Sequence, residues 1–236
     1  IGEYAFNSCG RLTSVEIPDS VTSIGTSIFG ECKGLTSAKI GNGLENLTSW
    51  IFSNCTKLQS IDFGNSITTM GDRVCYNCKK LTSVIIPNSV TRIENYAFNN
   101  CNITNLKLSE NLNSLGNNCF YFSLNNLTGE LTIPAGITTV NFRTFGSSKL
   151  SRMIFSGDVT LFKDQALSIL QTPNPTVDLR NCTSVPTLEK ATTWFSQQYK
   201  GKIVVPDALY DEWIAATNWS SLTNVVFVRA SEYVEV

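Results

Sequence analysis

Cys9, Cys32, Cys55, Cys78 and Cys101 follow one another at intervals of 23 residues. Self-similarity at a fixed period of about 20–50 residues marks a chain of stacked units, none of which can bury its own apolar side alone. The rest of the unit keeps step with the cysteines. With Ile1 as position 1, that position also holds Ile24, Leu47, Met70 and Ile93, and position 12 holds Leu12, Leu35, Leu58 and Leu81. Positions 15 and 17 carry Val15/Ile17, Ala38/Ile40, Ile61/Phe63 and Val84/Ile86, and position 21 carries Val21, Leu44, Ile67 and Val90. After Cys101 the register slips but continues. One residue is missing before Leu106 and Leu108, two are added before Leu131 and Ile133, and one is missing before Met153 and Phe155. Surface loops of a solenoid absorb slips of this size.

The unit explains itself physically. Leu12-Thr-Ser-Val-Glu-Ile17 ends in apolar/polar alternation, which predicts a short strand with one buried face. Pro18 and Pro87 end the strand because proline cannot continue a ladder, and the polar pairs after them supply a turn. Val21 and Ile24 are three residues apart, so the chain is expected to curve there. Tyr4 to Cys9, with Phe6 and Cys9 also three apart, predicts a single helical turn. Stacking such units gives a parallel sheet on one side and a continuous core behind it.

Regularity fades after Phe162. Pro173 and Pro175 mark a loop; Val177/Leu179 and Ile203/Val205 restore the strand pattern; Leu188, Ala191, Phe195 and Tyr199 have helical spacing. Asp207 is a candidate N-cap for a helix turning Leu209, Trp213 and Ala216 inward, and 225–228 reads as a final strand. Trp194, Trp213 and Trp219 are expected to pack inside this region. The expected organisation is therefore a solenoid of about 23-residue units over 1–171, then degenerate repeats and a C-terminal α/β cap over 172–236. A cap is needed because a last coil would otherwise expose core and a sheet edge. Ile1 falls inside a unit, so further repeats or a cap are expected before it.

Composition removes several function classes. There is no histidine, so histidine-based triads, general bases and metal ligands are excluded. A net charge of −1 with 16% charged residues leaves no basic face for nucleic acid, and no apolar run is long enough to insert in a membrane. Acidic residues are scattered, with no phosphate-cradling glycine loop and no nucleophile elbow. The expectation is no enzyme, no cofactor and no metal. The sequons at Asn46, Asn54, Asn102, Asn126, Asn181 and Asn218 are matches of composition. The cysteine ladder is read as buried free thiols, with Ser123 and Ser148 standing in for cysteine. Cys75-Tyr-Asn-Cys78 has redox or zinc spacing, but both cysteines occupy core slots and nothing completes a zinc site.

What remains is surface. The outward positions of the sheet line the expected concave face, the usual binding surface of curved solenoids. The candidates there are Glu16, Lys39, Asp62, Ile85, Lys107, Arg152, Ile154 and Asp178. Exposed Ile85 and Ile154 favour a ligand face, since a solvated strand face does not need them; a plain solvated face is the alternative reading of the row. On the expected convex side Tyr4, Trp50 and Tyr96 recur two units apart at one position, either as aromatic platforms for sugar rings or as shielding of that side.

The run Ile1-Gly-Glu-Tyr-Ala-Phe6, Cys9, Leu12, Val15, Ile17-Pro18, Val21, Ile24-Gly25, repeated at Ile86-Pro87, Val90, Ile93, Tyr96-Ala97-Phe98 and Cys101, resembles the BspA-type leucine-rich repeat over about 1–160. The segment 205–219 is similar to one often attached to such repeats in Bacteroides-like gut anaerobes. The resemblance implies a right-handed superhelix with a parallel sheet on its concave face and turns or helical turns on the convex side. It also implies a secreted or cell-surface, bacterial adhesion protein without catalytic residues, binding a host matrix protein or a surface glycan. A rigid spacer presenting some other domain is the alternative.

Overall fold

The computed structural model describes residues 1–145, 148–167, 170–190 and 200–235. Each unit lays down one coil with three sides. The first side is the predicted sheet, all parallel, in three runs. Ser14–Ile17, Ser37–Ile40 and Ser60–Asp62 form the first run, and Ser83–Ile85 with Asn105–Lys107 the second. Thr128–Ile133, Lys149–Phe155, Thr176–Asp178, Gly201–Val205 and Val225–Arg229 form the third. Residues one unit apart sit opposite each other, Val15 by Ala38 and Ala38 by Ile61. One face of every strand therefore enters the core and the other forms a row across the coils.

The second side corrects the sequence reading. The chain turns at Val21, whose N–H donates to Pro18 O at 3.0 Å, and Val90 repeats this with Pro87. It then straightens instead of curving on. Asn46–Leu47, Thr69–Met70, Arg92–Ile93 and Ser114–Leu115 make a second parallel ladder, and Thr139–Val140, Leu161–Phe162 and Thr187–Leu188 make a third. Leu47, Met70 and Ile93 are buried beside more exposed neighbours, the alternation of a strand compressed to two residues.

The third side is a stack of turns, and the helical turn expected over Tyr4–Cys9 is not formed. Alternate N–H groups of the turn reach the next coil, Trp50 to Asp72 O (2.8 Å), Phe52 to Val74 O (2.9 Å) and Asn54 to Tyr76 O (2.8 Å), while Ser53 and Cys55 between them bond back to Trp50 O (3.0 Å) and Phe52 O (3.1 Å). That requires left-handed backbone at positions 4 and 8. Tyr4, Ser27, Trp50, Arg73, Tyr96, Asn118, Arg143 and Gln165 share it at position 4, and Ser8, Glu31, Asn54, Asn77, Asn100 and Phe122 at position 8. Asparagine tolerates this region better than most residues. At position 8 it also builds a ladder: Asn54 Nδ2 donates to Glu31 (2.6 Å), Asn77 to Asn54 Oδ1 (2.7 Å) and Asn100 to Asn77 Oδ1 (2.9 Å).

The core runs through all coils as one cluster. Phe6, Phe29 and Phe52 stack at 5.5 and 5.8 Å, and Phe98, Phe120 and Phe145 at 5.5 and 6.1 Å. Cys75 takes the ring position between the two stacks. Phe63, where the neighbouring units carry Ile40 and Ile86, turns its edge to Phe98 at 6.3 Å. A larger side chain at one position thus accompanies the smaller one at the other. All eight cysteines are free, and all but Cys9 are buried. They are more than small apolar fillers. Cys32, Cys55 and Cys78 donate to Phe6, Phe29 and Phe52 O, each at 3.1 Å, and Cys101 donates to Cys75 O at 3.2 Å. Ser123 continues the ladder by donating to Phe98 O. Ser148 Oγ has no partner among the described residues.

Past residue 171 the third run of sheet continues unbroken through Thr176–Asp178, Gly201–Val205 and Val225–Arg229. The helix Tyr210–Ala215 buries Trp213. Trp219 is buried too, its Nε1 donating to Pro186 O at 2.7 Å. Leu209 and Ala216 pack against the core as expected. Asp207 does not cap the helix by its side chain; its carboxylate accepts the Ser231 N–H at 3.0 Å. Trp194, and the helical pattern through Ala191, Phe195 and Tyr199, lie outside the described residues.

Candidate functional site

The outer row of the sheet holds the predicted residues in the predicted order. Glu16, Lys39 and Asp62 are register neighbours, exposed, with Lys39 Nζ 2.7 Å from Glu16 Oε1. That hydrogen bond keeps the Lys39 ammonium charged above the usual lysine range. Ile85 sits beside Lys107 and is 59% exposed, a large apolar side chain left in water. Thr132 sits beside Ile154, which is half-buried.

Between these two pairs the sheet is split. No ladder joins Asn105–Lys107 to Thr128–Ile133, nor Ser114–Leu115 to Thr139–Val140. On the turn side the same coils stay tied, Asn118 N–H to Phe142 O and Phe120 N–H to Thr144 O, both at 2.9 Å. The two extra residues before Leu131 lie at this joint. The result is a cleft of about 510 Å³ floored by Leu106, Leu108, Leu131 and Pro134, with Lys107 and Glu130 at its polar margin. Both walls are strand edges without a ladder partner, groups that ordinarily find one. Along the row the order is Ile85, Lys107, cleft, Thr132, Ile154.

Arg152 and Asp178 are on the same face but are not open to solvent. The C-terminal segment folds over them. The Tyr233 ring lies over Arg152 (5.2 Å), Arg180 (5.5 Å) and Lys202 (5.9 Å), and Glu235 stands 2.7 Å from Arg152 Nη2. Beneath it Arg152 Nη2 and Asp178 Oδ2 are 2.6 Å apart. Burial opposes the charge on both groups. Hydrogen bonds from Arg180 and Arg152 nonetheless hold the Asp178 carboxyl below the usual carboxylate range. Bonds to Asp178 and Glu235 likewise keep the Arg152 guanidinium charged beyond its ordinary value. This cluster fastens the chain end to the sheet.

On the turn side, Trp50 and Tyr96 are not a free pair of platforms. The Arg73 guanidinium fills the slot between them, 4.6 Å from the Trp50 ring and 4.4 Å from Tyr96. Tyr4 stands apart and is 61% exposed. Cys75 and Cys78 are both in the core, where burial raises their thiols. Among the described residues no group of histidine, cysteine, aspartate or glutamate is placed to hold a metal.

A model of the BspA type leucine-rich repeat region matches the chain in six copies, across residues 1–127 and 68–185. The chain belongs to the BspA-type leucine-rich-repeat family. Three solved structures of leucine-rich repeat proteins are similar to it. One is the Treponema pallidum leucine-rich repeat protein, 23% identical over 69% of this chain and 66% of the other, with a TM-score of 0.45. Another is a leucine-rich cell surface protein of Faecalibacterium prausnitzii, 19% identical over 98% and 84%, with a TM-score of 0.45. The third is a leucine-rich repeat protein of Bacteroides ovatus, 15% identical over 97% and 87%, with a TM-score of 0.35. No curated protein matches. In this BspA-type chain the split, the fold-over of Tyr233 and Glu235, and the Arg73 insertion are not implied by the repeat pattern. The only sequence signal for any of them is the two-residue insertion before Leu131.

Proposed function

We propose that this chain is a non-enzymatic binding module of a bacterial cell-surface or secreted protein, and that it acts in adhesion by gripping a host protein on its sheet face. The observation that carries the reading is the split between Lys107 and Thr132, bracketed by Ile85 and Ile154. Interface cores favour exposed apolar anchors beside a few oriented polar groups. Unpartnered strand edges in the cleft wall add main-chain groups able to hydrogen-bond an extended segment of a partner. Glu16, Lys39 and Asp62 form a charged margin that orients the approach and adds little affinity. Arg152 and Asp178 are assigned to holding the chain end, not to the ligand. Membership of a family with surface-protein members supports the location.

The test is a binding screen of the purified chain against immobilised matrix proteins, with the double variant Ile85→Asp/Lys107→Glu beside it. Binding by the parent that the variant loses supports recognition at the cleft. Equal binding by both moves the contact off this face. No binding by folded parent favours the spacer reading.

A further inference from the structure

The asparagine ladder on the turn side ends abruptly, and its end is a cleft. Asn54, Asn77 and Asn100 each pass a side-chain donor to the preceding coil. The next coil has Phe122 where an asparagine would continue the series, so the Asn100 Oδ1 receives no donor among the described residues. Phe122 keeps the left-handed backbone of the position (φ 59°) and is 54% exposed, an unfavourable conformation for a bulky ring left in water. Its ring centroid is 4.0 Å from that of Tyr121.

These residues border a cleft of about 530 Å³ together with Asn118 and Arg143. Asn118 is only 6% exposed. Its backbone is fully used: the N–H donates to Phe142 O (2.9 Å), and the carbonyl accepts Tyr121 N–H (3.2 Å) and Asn99 Nδ2 (3.4 Å). Its side-chain amide makes no hydrogen bond among the described residues and lines the cleft. Arg143 lies over Tyr121 at 5.0 Å and gives Nε to Gln165 Oε1 at 2.6 Å. Its Nη groups have no partner among the described residues, and no carboxylate borders the cleft.

An exposed aromatic ring, the Asn100 Oδ1, the Asn118 amide and the Arg143 Nη groups all border this cleft. The flat apolar face of a pyranose matches the ring. Sugar hydroxyls, which both donate and accept, match the Asn100 and Asn118 amides. A planar carboxylate matches the two-pronged guanidinium. We infer that this turn-side cleft is a carbohydrate site for a sugar bearing a carboxylate, with Phe122 as stacking platform, Asn100 and Asn118 as hydroxyl partners and Arg143 as the anion partner. It is separate from the sheet-face cleft and does not depend on it.

The test uses the full chain with sialyllactose and a galacturonate oligosaccharide as acidic probes and lactose as the neutral one, followed by calorimetry and ligand-observed NMR. At least one acidic probe is expected to bind, and lactose at least tenfold more weakly. Phe122→Asn supplies the missing ladder residue, so it keeps the fold while removing the platform; binding should fall at least tenfold. Arg143→Gln should erase the preference for the acidic probe. Ile85→Asp/Lys107→Glu should bind sugar like the parent, which separates this site from the sheet face. Failure of folded parent to bind either acidic probe at millimolar concentration, or undiminished binding by Phe122→Asn, overturns the proposal. Equal binding of lactose overturns the role of the carboxylate.

Discussion

Arg152 Nη2 and Asp178 Oδ2 lie 2.6 Å apart on the outer face of the sheet, and both side chains are buried. An ion pair in that position is unusual for a strand face, and the cause is Tyr233 and Glu235 folded across it. Removing Asp178 takes the buried carboxylate from between Arg152 and Arg180 and leaves Arg152 only the exposed carboxylates of Glu235 and Glu130. Asp178→Ala should therefore destabilise the chain by about 3–5 kcal/mol. Glu235→Gln alters a carboxylate that is 64% exposed and should cost less than about 1 kcal/mol. Urea titration of the two variants checks this, and equal losses would contradict the assignment.

Cys78 tests whether the cysteine ladder is held by hydrogen bonds or by volume alone. Its thiol donates to Phe52 O in the coil before it. Cys78→Ala removes one of two donors to that buried carbonyl, which keeps the Cys55 N–H at 3.1 Å, a loss of about 0.5–1.5 kcal/mol. Cys78→Ser keeps a donor, as Ser123 does naturally, and is expected to be the milder change. The order of thermal midpoints decides it.

Burial raises the thiols of Cys78, Cys101 and Cys182, the last to about 11. A thiol with a raised folded pKa keeps its proton when the unfolded chain has lost it. Its stabilising contribution is complete below the ordinary value of 9.0 and is lost as pH rises through the folded value. Between those limits each such thiol should remove about 1.4 kcal/mol per pH unit. Unfolding midpoints should accordingly fall steeply from pH 9 to 11. At pH 8 a thiol reagent should modify Cys9 quickly and the seven buried cysteines only after denaturation.

Phe63 sets its edge against Phe98, the ring that follows Cys75 in the stack, so Phe63 and Cys75 are expected to behave as a packing pair. Cys75→Phe alone would force a ring against Phe63 and should cost about 1–3 kcal/mol through overpacking. Adding Phe63→Ile, the residue of the neighbouring units, should recover most of that loss. A double-mutant cycle reads the coupling directly, and additive effects would refute it.

The repeat itself was legible because volume and polarity at a given position recur. Val15, Ala38 and Ile61 had to share one face, and they do. The outer row followed from strand alternation alone. The turn side was not legible in the same way. Three-residue spacing between Phe6 and Cys9 fits a helical turn as well as two linked turns, and only hydrogen bonding between coils decides for the latter. Left-handed backbone at Tyr4, Trp50 and Arg73 has no residue signature, since none of these prefers it; the asparagines at position 8 were the available clue. Arg152 and Asp178 looked like ligand residues because alternation gives the face of a side chain and not what lies over it. Tyr233 is far away in sequence and follows no repeat.

The split between Asn105–Lys107 and Thr128–Ile133 has a consequence for how the molecule comes apart. In a stack of coils, cooperativity travels only through contacts between neighbours, so the weakest joint sets where it stops. This joint has lost two of its three ladders and keeps the turn-side bonds of Asn118 and Phe120. The coils before it and those after it are therefore expected to melt as two units sharing one backbone, and an occupant of the cleft between them is expected to fuse their transitions into one.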